Sequence, residues 1–206
     1  MRTKRLARTA GGEPLLGDEE GFVPLSSVHS ALESVRDALP RAAAGTLGDP
    51  ADAPADRVPR EDLTFGPPLA EFGKLWGIGL NYAEHAGDID EQRPEEPASF
   101  MKPNTALAGP GGPIRLPPTD RSERVTAEAE LGVVVGRTCR NIETGTVDDV
   151  VAGYLPVIDM TAEDILQRNP RFLTRAKSFD TFLIPGPTIA VPEGSPDLSS
   201  VSVRTE

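Results

Sequence analysis

The sequence contains very little sulfur and no long hydrophobic run. Cys139 is the only cysteine among 206 residues, so no disulfide can form within the chain and no site built from several thiolates can bind a metal. This composition favours a reducing, cytoplasmic compartment. No apolar stretch approaches the roughly 18 residues that a membrane-spanning helix requires, and the basic N-terminus lacks the apolar segment of a secretory signal. We therefore expect no membrane partner.

Positive charge is also scarce. The chain has 21 Lys and Arg against 32 Asp and Glu, which gives a formal net charge of −11. Nucleic-acid binding depends on neutralising phosphates with Lys and Arg, so the balance argues against a nucleic-acid partner. It is compatible with a small anionic substrate, because a bound cation or local basic side chains can reverse the electrostatic field inside one cleft.

Glycine and proline are abundant, at 20 and 21 residues, and indicate many turns and short strands. Residues 4–25 predict short strands. A helix is predicted from Ser26 to Pro40, because apolar residues recur there at helical spacing. Ala, Asp and Pro predominate from about 45 to 60, as in a linker. We predict a small N-terminal α/β domain with its linker over residues 1–62, and a second domain over 63–206.

The clearest predicted strand, 128–136, carries two acidic side chains on one face. Side chains alternate along a strand, so Glu128 and Glu130 point the same way. Asp159 ends the strand-like run 154–158, just before a helix whose capping box is Thr161-x-x-Asp164. Three carboxylates without paired His or Cys suit Mg²⁺, Mn²⁺ or Ca²⁺. A Glu-x-Glu pair is also common on the solvated face of an edge strand, so spacing alone leaves both interpretations open.

Several short motifs follow one another between residues 74 and 192. They are GLNYAEH (79–85), SFMKP (99–103), EAELGVVVG (128–136), VAGY with DMTA (151–154 and 159–162), and AKSFDTF with PGP (176–182 and 185–187). In this order and spacing they resemble the motifs of the fumarylacetoacetate hydrolase family. Each motif is weak alone, but the set is specific.

The resemblance implies an α+β, mainly β fold, namely a mixed β-sandwich or roll of the type found in that family's C-terminal domain. It implies that Glu128, Glu130 and Asp159 bind Mg²⁺ or Mn²⁺, with Ca²⁺ as a further candidate. The expected substrate is a small 2-oxo acid or 1,3-dicarbonyl compound, processed in catabolism. The expected assembly is a homodimer.

The resemblance also implies catalytic roles. Lys177 would place positive charge near the substrate carbonyl or carboxylate. His85 would act as general base on water, with Asp88 orienting its imidazole. Each residue has a simpler interpretation, in which His85 is an ordinary loop residue, Lys177 lies on the surface and Lys102 ties down its turn.

The sequence departs from the family pattern in two places. Many members have Arg where Glu163 stands, and Arg168, Arg171 or Arg175 could compensate for it. No segment resembles the family's T-G-T-P motif, so we expect the second domain to be incomplete at its C-terminal end. The predicted activity is hydrolysis of a C–C bond through a metal-stabilised enolate, as in a hydrolase or lyase. Decarboxylation, enol–keto isomerisation and a non-catalytic binding or assembly role are the alternatives.

Overall fold

The structure is a computed structural model that describes residues 3–79 and 96–204, and it consists mainly of short strands. The strands are β1 Thr3–Arg8, β2 Pro14–Asp18, β3 Gly21–Pro24, β4 Leu75–Gly79, β5 Ala98–Lys102, β6 Val125–Val135, β7 Val151–Ala162, β8 Leu183–Pro185 and β9 Thr188–Pro192. The helices are α1 Leu25–Val28, α2 Val35–Ala43, α3 Glu163–Arg168 and α4 Leu173–Ala176. Short 3₁₀ helices cover Pro50–Asp52, Arg60–Asp62, Asn104–Ala106, Thr144–Asp149, Pro170–Phe172 and Leu198–Ser200. The predicted α+β, mainly β class is confirmed.

One seven-stranded sheet organises the chain. Its strand order is β3-β2-β1-β9-β7-β6, and β8 pairs with β7 beside this path. The pairings between these strands are antiparallel. Strands β4 and β5 form a separate two-stranded ribbon.

The N-terminal strands belong to the same sheet as the strands of the predicted second domain. β1 pairs with β9, with Leu6 opposite Ile189. The segment predicted as a linker is also tied to β3, because Phe22 and Val58 exchange two backbone hydrogen bonds of 2.8 Å. The boundary near residue 62 stays a prediction, but the sequence on both sides of it contributes to one sheet.

The predicted helix from Ser26 to Pro40 is wrong in its extent. α1 ends at Val28, and α2 begins only after Ser34, whose side chain accepts a hydrogen bond from the Asp37 amide as an N-cap. Pro40 lies inside α2 instead of ending it. The Ser34 cap therefore decides where α2 starts. The spacing of the apolar residues alone does not indicate this start.

Three apolar clusters of the described residues support the sheet, and the two larger ones are considered in turn. The larger one packs α2 against the sheet and includes Leu6, Leu16, Leu39, Val134, Leu155 and Ile189. The smaller one lies around α3 and α4 and comprises Met160, Ala162, Ile165, Ala176, Phe182 and Ile184. The second cluster fixes the ends of β7 and of α4, where the polar residues described next are located. Every helix within the described ranges is too short or too polar to cross a membrane.

Candidate active site

The pairing of β6 with β7 brings the acidic residues together. Glu128 is directly opposite Asp159, and Glu130 is opposite Val157. Directly opposite Cβ atoms in an antiparallel pair lie about 4.5–5.5 Å apart. Since Glu128 and Glu130 alternate with Ala129, all three carboxylates belong to one face of the sheet. Asp159 is buried, whereas Glu128 and Glu130 are half-buried.

A lysine ammonium lies between two of these carboxylates. Lys177 directly follows α4 and is only 4% exposed. Its Nζ donates to both carboxylate oxygens of Glu128 at 3.0 Å and to Asp159 Oδ2 at 3.1 Å. Its Nζ also contacts Thr161 Oγ1 at 2.6 Å, and the Thr161 hydroxyl donates to Glu128. A buried charge is tolerated when it is paired and fully hydrogen-bonded, and Lys177 meets that condition.

A second buried lysine approaches Asp159 from the other side. Lys102, on β5, pairs with Asp159 Oδ1 and donates to the carbonyls of Met160 at 3.1 Å and Phe182 at 2.6 Å. Burial lowers the pKa of Lys102 to about 8, and the Asp159 carboxylate opposes this shift. Lys102 thus joins β5 to β7 and to the segment before β8, and it fixes the position of Asp159.

Phe100 completes the surroundings of Lys177. It shares a face of β5 with Lys102, and its ring centroid lies 5.0 Å from Lys177 Nζ, within the range of a cation–π contact. Gly77 is its partner on β4, and a Cβ added there would overlap the Phe100 ring. Gly77 therefore leaves the space in which the Phe100 ring packs.

The donors of this cluster suit a hard divalent cation. Carboxylate oxygens are the ligands that Mg²⁺ and Mn²⁺ prefer. The buried Asp159 Oδ1 accepts no hydrogen bond from the described residues, although Lys102 lies beside it as an ion pair. Within residues 3–79 and 96–204, however, no group of three or more His, Cys, Asp or Glu is arranged to hold a metal ion. Instead, the Lys177 ammonium joins Glu128 to Asp159. A cation held by these carboxylates would compete with the ammonium for their oxygens.

The structure unites some of the predicted site residues. Glu128, Asp159 and Lys177 are in direct contact, and Glu130 shares their face of the sheet. The predicted base His85 and its partner Asp88 lie outside the described residues. Lys177 is not the surface lysine of the simpler interpretation, since it is buried.

Sequence reasoning missed the roles of Lys102 and Thr161. The sequence predicts only that Lys102 ties down its turn, although alternation along β5 places its side chain on the same face as Phe100. Thr161 was interpreted as a helix cap, but α3 begins at Glu163 with Ala162 as its N-cap. The signal for Thr161 was its position two residues after Asp159, which puts both side chains on one face of β7.

Comparisons with known proteins show which family this chain belongs to. The family model described as "Fumarylacetoacetate (FAA) hydrolase C-terminal" matches residues 74–206. An uncharacterised protein of Archaeoglobus fulgidus is 43% identical over 133 residues, which cover 65% of this chain and 52% of that protein. The mitochondrial oxaloacetate tautomerase Fahd2a of Rattus norvegicus is 32% identical over 146 residues, which cover 71% of this chain and 46% of the relative. The chain thus spans about half the length of these two relatives.

A solved structure extends the similarity to the whole fold. Maleylpyruvate hydrolase from Sphingobium sp. SYK-6, in complex with manganese(II) and pyruvate, superposes with a TM-score of 0.69 at 25% sequence identity. The match covers 94% of this chain and 69% of that structure. The matched share of this chain is therefore larger than residues 74–206, to which the family model is confined.

Proposed function

Since the chain belongs to the fumarylacetoacetate hydrolase family, we propose that it is a divalent-metal-dependent enzyme that hydrolyses a C–C bond in a small 2-oxo acid or 1,3-dicarbonyl compound. The observation that carries this proposal is the contact of Lys177 with Glu128 and Asp159 on one face of the sheet. The manganese and pyruvate in the structure of maleylpyruvate hydrolase support the choice of metal and substrate class.

Glu128, Glu130 and Asp159 would hold Mg²⁺ or Mn²⁺, and Ca²⁺ is compatible with the same oxygen ligands. The chemistry that the cation supplies is polarisation of the substrate carbonyl and stabilisation of the negative charge left when the C–C bond breaks. Asp159 is the best held of the three ligands, because Lys102 and Lys177 contact its two oxygens from opposite sides.

Lys177 would bind the substrate. If Glu128 and Asp159 held a cation, the Lys177 ammonium would lose part of its pairing and would offer its positive charge to a substrate carboxylate or carbonyl oxygen. The Phe100 ring and the Thr161 hydroxyl would keep it near the carboxylates. A positive charge held in a partly buried site stabilises a developing oxyanion more strongly than one in water.

Lys102 would act as a positioning residue. Its three contacts reach Asp159 and two main-chain carbonyls of the β7 and β8 region, so it would fix the ligand without touching the substrate. His85 stays the predicted base for the water that hydrolysis requires, with Asp88 as its orienting partner.

A second candidate reaction is enol–keto isomerisation. The similarity to oxaloacetate tautomerase favours it, and the carboxylate and lysine cluster suits it equally because an enolate is again stabilised. Decarboxylation of a 2-oxo diacid places the same demand on the cluster. These reactions differ from hydrolysis in needing no activated water, so a substitution of His85 distinguishes them from hydrolysis.

The proposal is tested by following the ultraviolet absorbance of an enolised acylpyruvate, and separately of oxaloacetate, with Mn²⁺ and then with excess chelator. We expect a metal-dependent loss of signal that Asp159→Asn abolishes. Glu143→Gln, at an exposed acidic residue between β6 and β7, should retain full activity as the matched control. Turnover that persists in chelator, or that survives Asp159→Asn, would contradict the metal-dependent mechanism. His85→Ala should then reduce the rate of hydrolysis far more than the rate of oxaloacetate tautomerisation, and an equal loss of both would count against His85 as the base.

A further inference from the structure

A cleft of about 380 Å³ lies beside the segment that carries Lys177, and the proposed reaction makes no use of it. It is lined by Arg121, Arg175, Ser178 and Phe179. Arg175 is exposed whereas Lys177 is buried, so these two nearby residues point to different sides of the segment. The cleft volume is in the range of small-molecule sites.

Among the described residues, the two arginines in this cleft have no acidic partner. In the described part of the chain neither guanidinium forms an ion pair with Asp or Glu, in contrast to the nearby Arg168, which pairs with Asp164 at 3.0 Å. This is unexpected in a chain with a net charge of −11. Two unpaired guanidinium groups that face one cleft create a local positive potential, and an anion in the cleft would relieve their repulsion.

The cleft is partly preorganised. The Arg175 guanidinium lies 5.5 Å from the centroid of the Phe172 ring, a cation–π contact that limits its motion. The Phe179 ring packs against Phe182 at 5.2 Å between centroids, so one wall of the cleft is a fixed aromatic surface. Ordering these groups in advance lowers the entropy cost of binding a ligand.

We infer that this cleft binds a small organic carboxylate whose apolar body lies against Phe179. Guanidinium groups match the two oxygens of a carboxylate through paired hydrogen bonds, and the aromatic wall favours an anion with a carbon skeleton over an inorganic one. The site is distinct from the carboxylate and lysine cluster, where the lysines are buried and paired. The inference does not depend on the proposed reaction.

The test uses 4-fluorobenzoate as the probe and ¹⁹F NMR titration of the full chain as the readout. For a ligand of this size we expect saturable binding with a dissociation constant of about 1 mM. Arg121→Gln and Arg175→Gln should each weaken binding about tenfold, the effect of losing one charge-assisted contact. Arg171→Gln, at an exposed arginine that does not line the cleft, should bind the probe as the wild type does.

Two further comparisons make the result decisive. Fluoroacetate, which has the carboxylate but no ring, should bind at least about tenfold more weakly than 4-fluorobenzoate. Inorganic phosphate should compete only weakly. The inference is overturned if binding does not saturate, if neither cleft variant weakens it, or if phosphate or fluoroacetate binds as tightly as the probe. Both arginines are exposed, and an unchanged melting temperature of each variant excludes misfolding as the cause of a loss.

Discussion

Lys177 Nζ lies 3.0 Å from both carboxylate oxygens of Glu128, although the two residues are 49 positions apart in the chain. The ammonium also reaches Asp159, so its positive charge reduces the repulsion between two acidic side chains across the β6–β7 pair. Together, the ammonium groups of Lys177 and Lys102 balance the two negative charges of Glu128 and Asp159.

Replacing Lys177 with Met should destabilise the metal-free protein by about 3 kcal/mol, the lower end of the range for a buried pair that loses one partner. The lower end applies because the Glu128 side chain remains 34% exposed. Thermal unfolding in chelator measures the loss, and Mn²⁺ should raise the melting temperature of Lys177→Met more than that of the wild type. Lys74→Met, at an exposed lysine, is the control. Equal melting temperatures for Lys177→Met and the wild type in chelator would refute the role of the ammonium as counterion.

Replacing Lys102 with Met should cost about 3–5 kcal/mol of stability, because Asp159 Oδ1 loses its buried ion-pair partner and two carbonyls lose their buried donor. The change should also weaken metal binding, since Asp159 is then free to turn. Urea unfolding measures the first effect, and Mn²⁺ titration followed by electron paramagnetic resonance measures the second. Unchanged Mn²⁺ affinity in a folded variant would leave Lys102 with a purely structural role.

Replacing Gly77 with Ala should destabilise the protein by about 1–3 kcal/mol, the usual cost of overpacking, because the new methyl group overlaps the Phe100 ring. The displaced ring would no longer lie over Lys177, so the rate constant kcat should fall as well. Gly73→Ala is a matched control just before the same strand, since a Cβ at Gly73 meets nothing within 4 Å. Similar melting temperatures for the two alanine variants would show that the Gly77–Phe100 packing is not needed.

Asp164 provides a pH prediction away from the carboxylate cluster. Its pKa is lowered from 3.8, chiefly by the hydrogen bond from the Ser122 hydroxyl and further by Arg168. A carboxyl whose folded pKa lies below its unfolded value adds stability above the unfolded pKa, and this contribution disappears as the pH falls through the folded pKa. Ser122→Ala should therefore raise the pKa of Asp164 and lower stability at neutral pH more than at pH 2. Carboxyl ¹³C NMR titration follows the pKa directly, and Arg168→Gln should shift it less than Ser122→Ala; the reverse order would count against this account.

The candidate site was only partly accessible from sequence. Strand alternation predicts correctly that Glu128 and Glu130 share a face, because that pattern is local. The contact of Glu128 with Asp159 depends on how β6 pairs with β7, which alternation cannot show and which only the family motifs indicated. The partners of Lys102 at Met160 and Phe182 are 58 and 80 residues away in the chain, so no local sequence pattern predicts these contacts.

As at the candidate site, local sequence patterns predict parts of the fold but not the contacts between distant residues. The turns and short strands of residues 4–25 follow from local glycine and proline signals. The apolar spacing continues across Ser34 and does not show that a helix begins there, so the helix predicted from this spacing starts too early. The pairing of β1 with β9 joins residues at opposite ends of the described chain. The linker-like composition of the segment between them predicts two separate domains and gives no sign of this pairing.

This β1–β9 pairing determines when the sheet can be completed during synthesis. β1 can form a hairpin with β2 as soon as both have left the ribosome, but its other edge has no hydrogen-bonding partner until Ile189 and its neighbours emerge. An unpaired edge held open through most of translation is a site where other nascent chains can add strands. The closing of a sheet by contacts so distant in sequence is also intrinsically slow. The protein therefore carries its greatest risk of aggregation before β9 is made, and chaperones that cover the β1 edge in that interval should improve its yield.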